Sequence, residues 1–163
     1  MSKMGDINVY SGPMKCGKSM KILNEFDRQL IAGKNAMIFK PKLDNRIGEN
    51  IVSTRDGKKV VAENIEKIEE LKNFNADVFF IDEFQFLDGN VKTIEELANK
   101  GKKFFIAGLN LTSDKKPFGK MGDLMCIADN INMMTSICEI CKNDNAVFSY
   151  FKGEKDKDIV IRR

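Results

Sequence analysis

The sequence contains no histidine. Imidazole acid/base catalysis, histidine-based triads and histidine-ligated metals are therefore excluded, and any general base is a carboxylate, a lysine or a water. Arginine is scarce as well, limited to Arg28, Arg46, Arg55, Arg162 and Arg163. That leaves a short list of guanidinium clamps for an anionic substrate. No apolar run approaches the ~20 residues needed to span a bilayer. No signal-peptide pattern opens the chain, so the expected compartment is the cytoplasm. The four cysteines, Cys16, Cys126, Cys138 and Cys141, are too scattered for a secreted disulfide framework. Only Cys138-x-x-Cys141 has the spacing of metal ligands. The charge excess is +3 with the basic residues scattered, so neither nucleic acid nor a membrane surface is expected as a partner.

What is present is ordinary for one soluble domain. A chain of ~150 residues buries roughly 70% of its unfolded surface, enough for a core without staples. Ile7 to Ser11 is a short β-branched and aromatic run, and predicts a strand. Lys18 to Ala32 carries apolar residues at helical spacing and ends at Gly33. Ala36 to Phe39 predicts a second strand, with a turn at Lys40-Pro41. Lys42 to Val61 reads as loop with a hairpin around Asp56-Gly57, and Ile65 to Leu71 as a short charged helix. The runs Val78 to Ile81 and Phe104 to Ala107 are continuously apolar, as in strands buried on both faces. A helix from about Asn90 to Lys100 separates them, and another follows from Met121 to Ala128. Asp114 to Gly119 reads as loop. Alternating strands and helices predict an α/β fold with a parallel sheet covered on both sides. After Ser136 the character changes to a small cysteine-containing hairpin and a charged tail. The expected division is an α/β core over 1–135 and a small cysteine-containing hairpin subdomain over 136–163.

Gly12-Pro13-Met14-Lys15-Cys16-Gly17-Lys18-Ser19 matches G-x-x-x-x-G-K-[ST] completely, with a strand before it and a helix after it. Glycines let the backbone curl so that successive N–H groups face phosphate oxygens, and the helix N-terminus adds partial positive charge. Lys18 is placed to reach the β and γ phosphates, and the Ser19 hydroxyl to ligate Mg²⁺. Asp82-Glu83 follows the Val78 to Ile81 strand, at the sheet edge where ligands of parallel sheets bind. Asp82 fits the Mg²⁺ shell, and Glu83 is left to accept a proton from an attacking hydroxyl or water. The plainer reading of Glu83 is a helix cap or a solvated loop acid. Asp44 and Arg46 form a third cluster, with Arg46 or Arg55 able to neutralise phosphoryl charge. Spacing alone fits solvated surface arginines equally well.

Taken together, these pieces resemble the cellular-type (class II) thymidine kinases. The resemblance rests on the phosphate loop, Lys40-Pro41-x-x-Asp44-x-Arg46, Ser53-x-Arg55-Asp56-Gly57 and Asp82-Glu83-x-Gln85-Phe86. It continues through Ala107-Gly108-Leu109, Lys116-Pro117-Phe118, Ala128-Asp129 and Cys138-x-x-Cys141, covering about Ile7 to Phe151. It implies a P-loop (RecA-like) core and transfer of the γ-phosphoryl of ATP to the 5′-hydroxyl of thymidine. Gly12, Pro13, Met14, Lys15, Cys16, Gly17, Lys18 and Ser19 would bind ATP together with Asp82, Glu83, Phe84 and Gln85. Glu83 would be the catalytic base, with Mg²⁺ at Ser19 and Asp82. Phe86 would pack on the pyrimidine, Met14, Leu109 and Phe118 would line the nucleoside pocket, and Ser149 would lie near the base. Read from the residues alone, Met14, Leu109 and Phe118 would be core. A homotetramer and a structural zinc are also implied, the zinc through Cys138 and Cys141.

The sequence departs from the family pattern at Lys15-Cys16, Asn110 and Ser113. It also ends at Ile161-Arg162-Arg163, where the family continues into a lid and a second cysteine pair; the expectation is a truncated form, or loss of lid and zinc. The competing functions are a P-loop ATPase, in which Glu83 activates water, and a nucleotide-binding relative impaired in catalysis.

Overall fold

A computed structural model of the chain describes residues 4–42, 51–53 and 59–150. The chain runs β1 (Ile7–Ser11), α1 (Lys18–Ile31), β2 (Ala36–Pro41), β3 (Ile51–Ser53), β4 (Lys59–Val61) and β5 (Glu63–Ile65). It continues with β6 (Val78–Ile81), α2 (Lys92–Asn99), β7 (Lys103–Gly108), α3 (Met121–Ile127) and β8 (Asn130–Met133). Short 3-10 turns cover Ile68–Asn73 and Phe84–Phe86. Six strands form one sheet in the order β5-β2-β6-β7-β1-β8, and every pairing in it is parallel. β3 and β4 pair antiparallel as a separate ribbon. The α/β expectation is met.

The central strands are apolar on both faces because both faces are covered. Phe79 and Ile81 of β6 point to one side, with Phe104 and Ile106 of β7, into a cluster completed by Ile94, Ala98, Met121 and Leu124 of α2 and α3. Val78, Phe80, Phe105 and Ala107 point the other way, onto Ile22, Leu23 and Phe26 of α1. Aromatic pairs run across the strands on each side. Phe79 stacks on Phe39 at 5.6 Å and on Phe104 at 5.0 Å, while Phe80 stacks on Phe105 at 5.0 Å. Cross-strand pairs of this kind fix the register, since a one-residue slip would send every ring to the wrong face. Among the described residues no helix is long and apolar enough to cross a membrane.

Two local expectations change, and one strand is added. The turn at Lys40-Pro41 is instead the end of β2, in register with Asn64 and Ile65 of β5. Pairing with β6 stops at Phe39, so the missing proline N–H breaks no ladder on that side. The helix expected over Ile65 to Leu71 is β5 followed by the 3-10 turn. The Glu70 carboxylate accepts the N–H groups of Glu66 and Lys67, each at 2.8 Å, and starts that turn. Finally, β8 lies where the sequence pattern marks no element. It is an edge strand exposed along its length, so it needs no apolar run to be stable. The turn expected at Asp56-Gly57 lies outside the described residues, although β3 and β4 on either side of it do pair.

Candidate active site

The site lies at the C-terminal edge of the sheet. β1 ends in Ser11, and the phosphate loop then climbs to Gly17, whose left-handed backbone (φ 88°) caps α1. No acidic residue occupies the first turn of α1, so its amide dipoles remain available to an anion. Gly12 permits a close approach: a Cβ there would collide with the Met134 carbonyl. The segment after β8 is bound to the loop at this point, with Met134 N–H donating to Ser11 O at 2.7 Å. The Lys18 ammonium donates to Pro13 O at 2.5 Å and lies 3.5 Å from the Cys16 sulfur. The lysine thus rests over its own loop.

Asp82 closes on the loop from β6. The Ser19 hydroxyl donates to Asp82 Oδ1 at 3.1 Å, and the same oxygen accepts the Glu83 N–H at 3.0 Å. β6 is not beside β1, since β7 lies between them. The two groups still meet because α1 crosses the face of these strands, with Phe26 edge-on to Phe80 at 5.2 Å. Two oxygen donors this close suit a small hard cation, so Ser19 and Asp82 fit Mg²⁺.

Glu83 adopts left-handed backbone, φ 56° and ψ 38°, a strained conformation for a non-glycine residue. It caps the Phe84–Phe86 turn. Its carboxyl accepts the Gln85 side-chain amide at 2.6 Å. The residue keeps solvent contact, but protein crowds the carboxyl itself. Its pKa is raised, first by that desolvation and then by the neighbouring Asp82 charge. The Gln85 hydrogen bond and the Lys18 and Lys40 charges oppose the rise. A poised carboxylate beside the phosphate loop suits proton transfer.

The structure brings most of the expected nucleoside-binding residues around these groups. Phe86 meets Phe118 edge-on at 5.4 Å, and the Leu109 N–H donates to Gln85 Oε1 at 3.0 Å. The loop between them folds back on itself, with Phe118 N–H donating to Asn110 O. Met14 is linked to Ser149 instead, whose hydroxyl accepts the Met14 N–H at 2.9 Å. The Lys115 ammonium lies over the Phe148 ring at 4.4 Å, so the 148–149 segment bridges the phosphate loop and the 110–118 loop. Phe84 is fully buried in the core and Gln85 is 3% exposed, so both side chains turn inward. Asp44, Arg46 and Arg55 lie outside the described residues. Gly119, at φ 53°, backs onto the Gln85 carbonyl, where a Cβ would collide. Gly119→Ala is expected to lose ~1–3 kcal/mol of stability, a cost typical of side chains forced into left-handed backbone. Urea unfolding checks this, and an unchanged midpoint would contradict the packing described.

The family profile described as Thymidine kinase matches residues 5–162. The chain belongs to the thymidine kinase family. The thymidine kinase of Mycoplasma mobile is 34% identical over 160 residues, covering 96% of this chain and 80% of that one. That of Pseudothermotoga lettingae is 33% identical over 161 residues, covering 96% and 87%. That of Choristoneura biennis entomopoxvirus is 37% identical over 164 residues, covering 95% and 88%.

Within this thymidine kinase family chain, the cysteine segment is a small closed loop. Ser136 and Ala146 exchange backbone hydrogen bonds at 3.0 Å, and Cys138 N–H donates to Asn143 O at 2.7 Å. Backbone N–H groups of Cys141 and Ile140 face the Cys138 sulfur and hold its thiol below the usual range. A tetrahedral zinc site needs four ligands, and no group of three or more histidine, cysteine or acidic residues occurs among the described residues. The same segment reaches the phosphate loop through Lys15 Nζ and Glu139, 2.7 Å apart. Motif reading missed that contact, and it also missed Lys40, whose charge acts on Glu83 from the end of β2. The position of Lys40 at a strand's C-terminal end was the available signal for it.

Proposed function

We propose that this enzyme transfers the γ-phosphoryl group of ATP to the 5′-hydroxyl of thymidine, with Glu83 as general base. The observation that carries the reading is the Ser19–Asp82–Glu83 constellation. A phosphate-loop hydroxyl, an acid 3.1 Å from it and a second carboxylate one residue on share the sheet edge with Phe86, Leu109 and Phe118. The backbone of the loop and the Lys18 ammonium bind the phosphates. Glu83 takes the proton of the 5′-hydroxyl as that oxygen bonds to the γ-phosphorus and the bond to the bridging oxygen breaks, releasing ADP. Ser19 and Asp82 would hold Mg²⁺, which supplies charge neutralisation at the β and γ oxygens. Phe86 and Phe118 offer an apolar wall for the base, and its exclusion of water favours transfer over hydrolysis.

The test uses γ-labelled ATP with thymidine, deoxyuridine or no acceptor. Label is expected in thymidine monophosphate far faster than in free phosphate. Free phosphate as the only product at every nucleoside concentration would overturn the kinase reading in favour of an ATPase.

A further inference from the structure

Among the described residues, Gln85 is one of the few polar ones sealed inside the protein, at 3% exposure, yet it lies two positions from the Glu83 carboxylate. Both ends of its side-chain amide are engaged. Oε1 accepts the Leu109 N–H at 3.0 Å, which forces the NH₂ group toward Glu83 Oε2, at 2.6 Å. The amide cannot flip without setting its NH₂ against a backbone donor. The surrounding chain is shaped to this side chain. A Cβ on Gly108 would come within 3.0 Å of Gln85 Oε1, and Gly119 lies against the Gln85 carbonyl on the other side. The turn holding both residues is also closed, with Phe86 N–H donating to Glu83 O at 3.1 Å. Left-handed backbone at Glu83 is thereby set from three directions: Asp82, the turn, and Gln85.

We infer that Gln85 is a positioning residue, which holds the Glu83 carboxylate for proton transfer and ties it to the Leu109 wall of the nucleoside pocket. With its NH₂ group on Oε2, Glu83 Oε1 is the oxygen turned to the acceptor hydroxyl. Gln85 itself touches no phosphate, because both its polar ends are committed inside the protein. The inference rests on the reading of Glu83 as the base, and a double-mutant cycle separates the two.

Gln85→Met keeps the side chain's length and removes both hydrogen-bonding ends. It is made in the wild-type protein and in the Glu83→Gln variant. Single-turnover transfer to thymidine, the KM for thymidine and the Kd for ATP are measured in each. In the wild-type background kcat is expected to fall about tenfold. ATP affinity should stay within about twofold, as expected of a residue that makes no phosphate contact. In the Glu83→Gln background the same substitution is expected to cost less than about twofold, since the group it positions is gone. An equal loss in both backgrounds marks a merely structural residue and overturns the inference, as does a parallel loss of ATP affinity. If Gln85→Met does not fold, Gln85→Glu retains the size and the acceptor for Leu109. It is expected to lower kcat in the wild type and to be tolerated in Glu83→Gln, where the new amide can donate to it. Equal effects of Gln85→Glu in the two backgrounds also overturn the inference. If Glu83→Gln alone leaves transfer intact, the base reading fails and the inference falls with it.

Discussion

Glu83→Gln is expected to leave ATP bound and thymidine unphosphorylated. The substitution keeps the size of the side chain and removes its capacity to take a proton. Lys18, Ser19 and Asp82 are untouched, so the phosphate contacts persist. The loss should be the ~10²–10⁴-fold typical of a positioned general base, seen in kcat with little change in ATP affinity. The sequence has no histidine to take over the role. Asp82, the adjacent carboxylate, is already engaged by the Ser19 hydroxyl and the Glu83 N–H. The measurement is label transfer from γ-labelled ATP beside an equilibrium titration of ATP. Transfer within threefold of wild type would remove Glu83 from the chemistry. Loss of ATP binding would instead make it a structural cap of the Phe84–Phe86 turn.

Lys18→Ala is expected to act on the phosphates. In the structure the ammonium rests on the Pro13 carbonyl and near the Cys16 sulfur, both within the loop it serves. An arriving phosphate offers full negative charge in place of a carbonyl dipole, so the lysine exchanges a weaker partner for a stronger one. Removing it should reduce turnover by ~10²–10³-fold, the range for loss of one charge-stabilising group at a reacting centre. The fold should survive, because α1 is anchored by Ile22, Leu23 and Phe26 and not by Lys18. Circular dichroism with steady-state kinetics checks both halves. Wild-type turnover in Lys18→Ala would refute the phosphate-site assignment, since the loop's other lysine, Lys15, is paired with Glu139.

The sequence was most informative where local chemistry admits one solution. The phosphate loop needs glycines, a lysine and a hydroxyl at fixed spacing between a strand and a helix, and Gly12 to Ser19 form that unit as expected. The strands Val78–Ile81 and Lys103–Gly108 were legible because burial on both faces leaves a continuous apolar run. Asp82 and Glu83 could be placed because they follow such a strand directly. Edge strands carry no such mark. β5 is three residues long and β8 is exposed throughout, so pairing with a neighbour, and not local propensity, makes them strands.

Contacts between residues far apart in sequence were decided only by the tertiary structure. That Ser149 would cap the Met14 N–H, that Glu139 would pair with Lys15, and that Met134 would press on Gly12 are results of where β8 docks beside β1. The resemblance put Gln85 among the ATP-binding residues, whereas its side chain turns inward, because the Leu109 N–H that engages its amide comes from the residue just past β7. Spacing along a chain encodes which groups an element can present. The direction each group faces, and the partner it meets, depend on how the sheet orders its strands, and here that order places β7 between the phosphate loop strand and the strand that leads into Asp82 and Glu83.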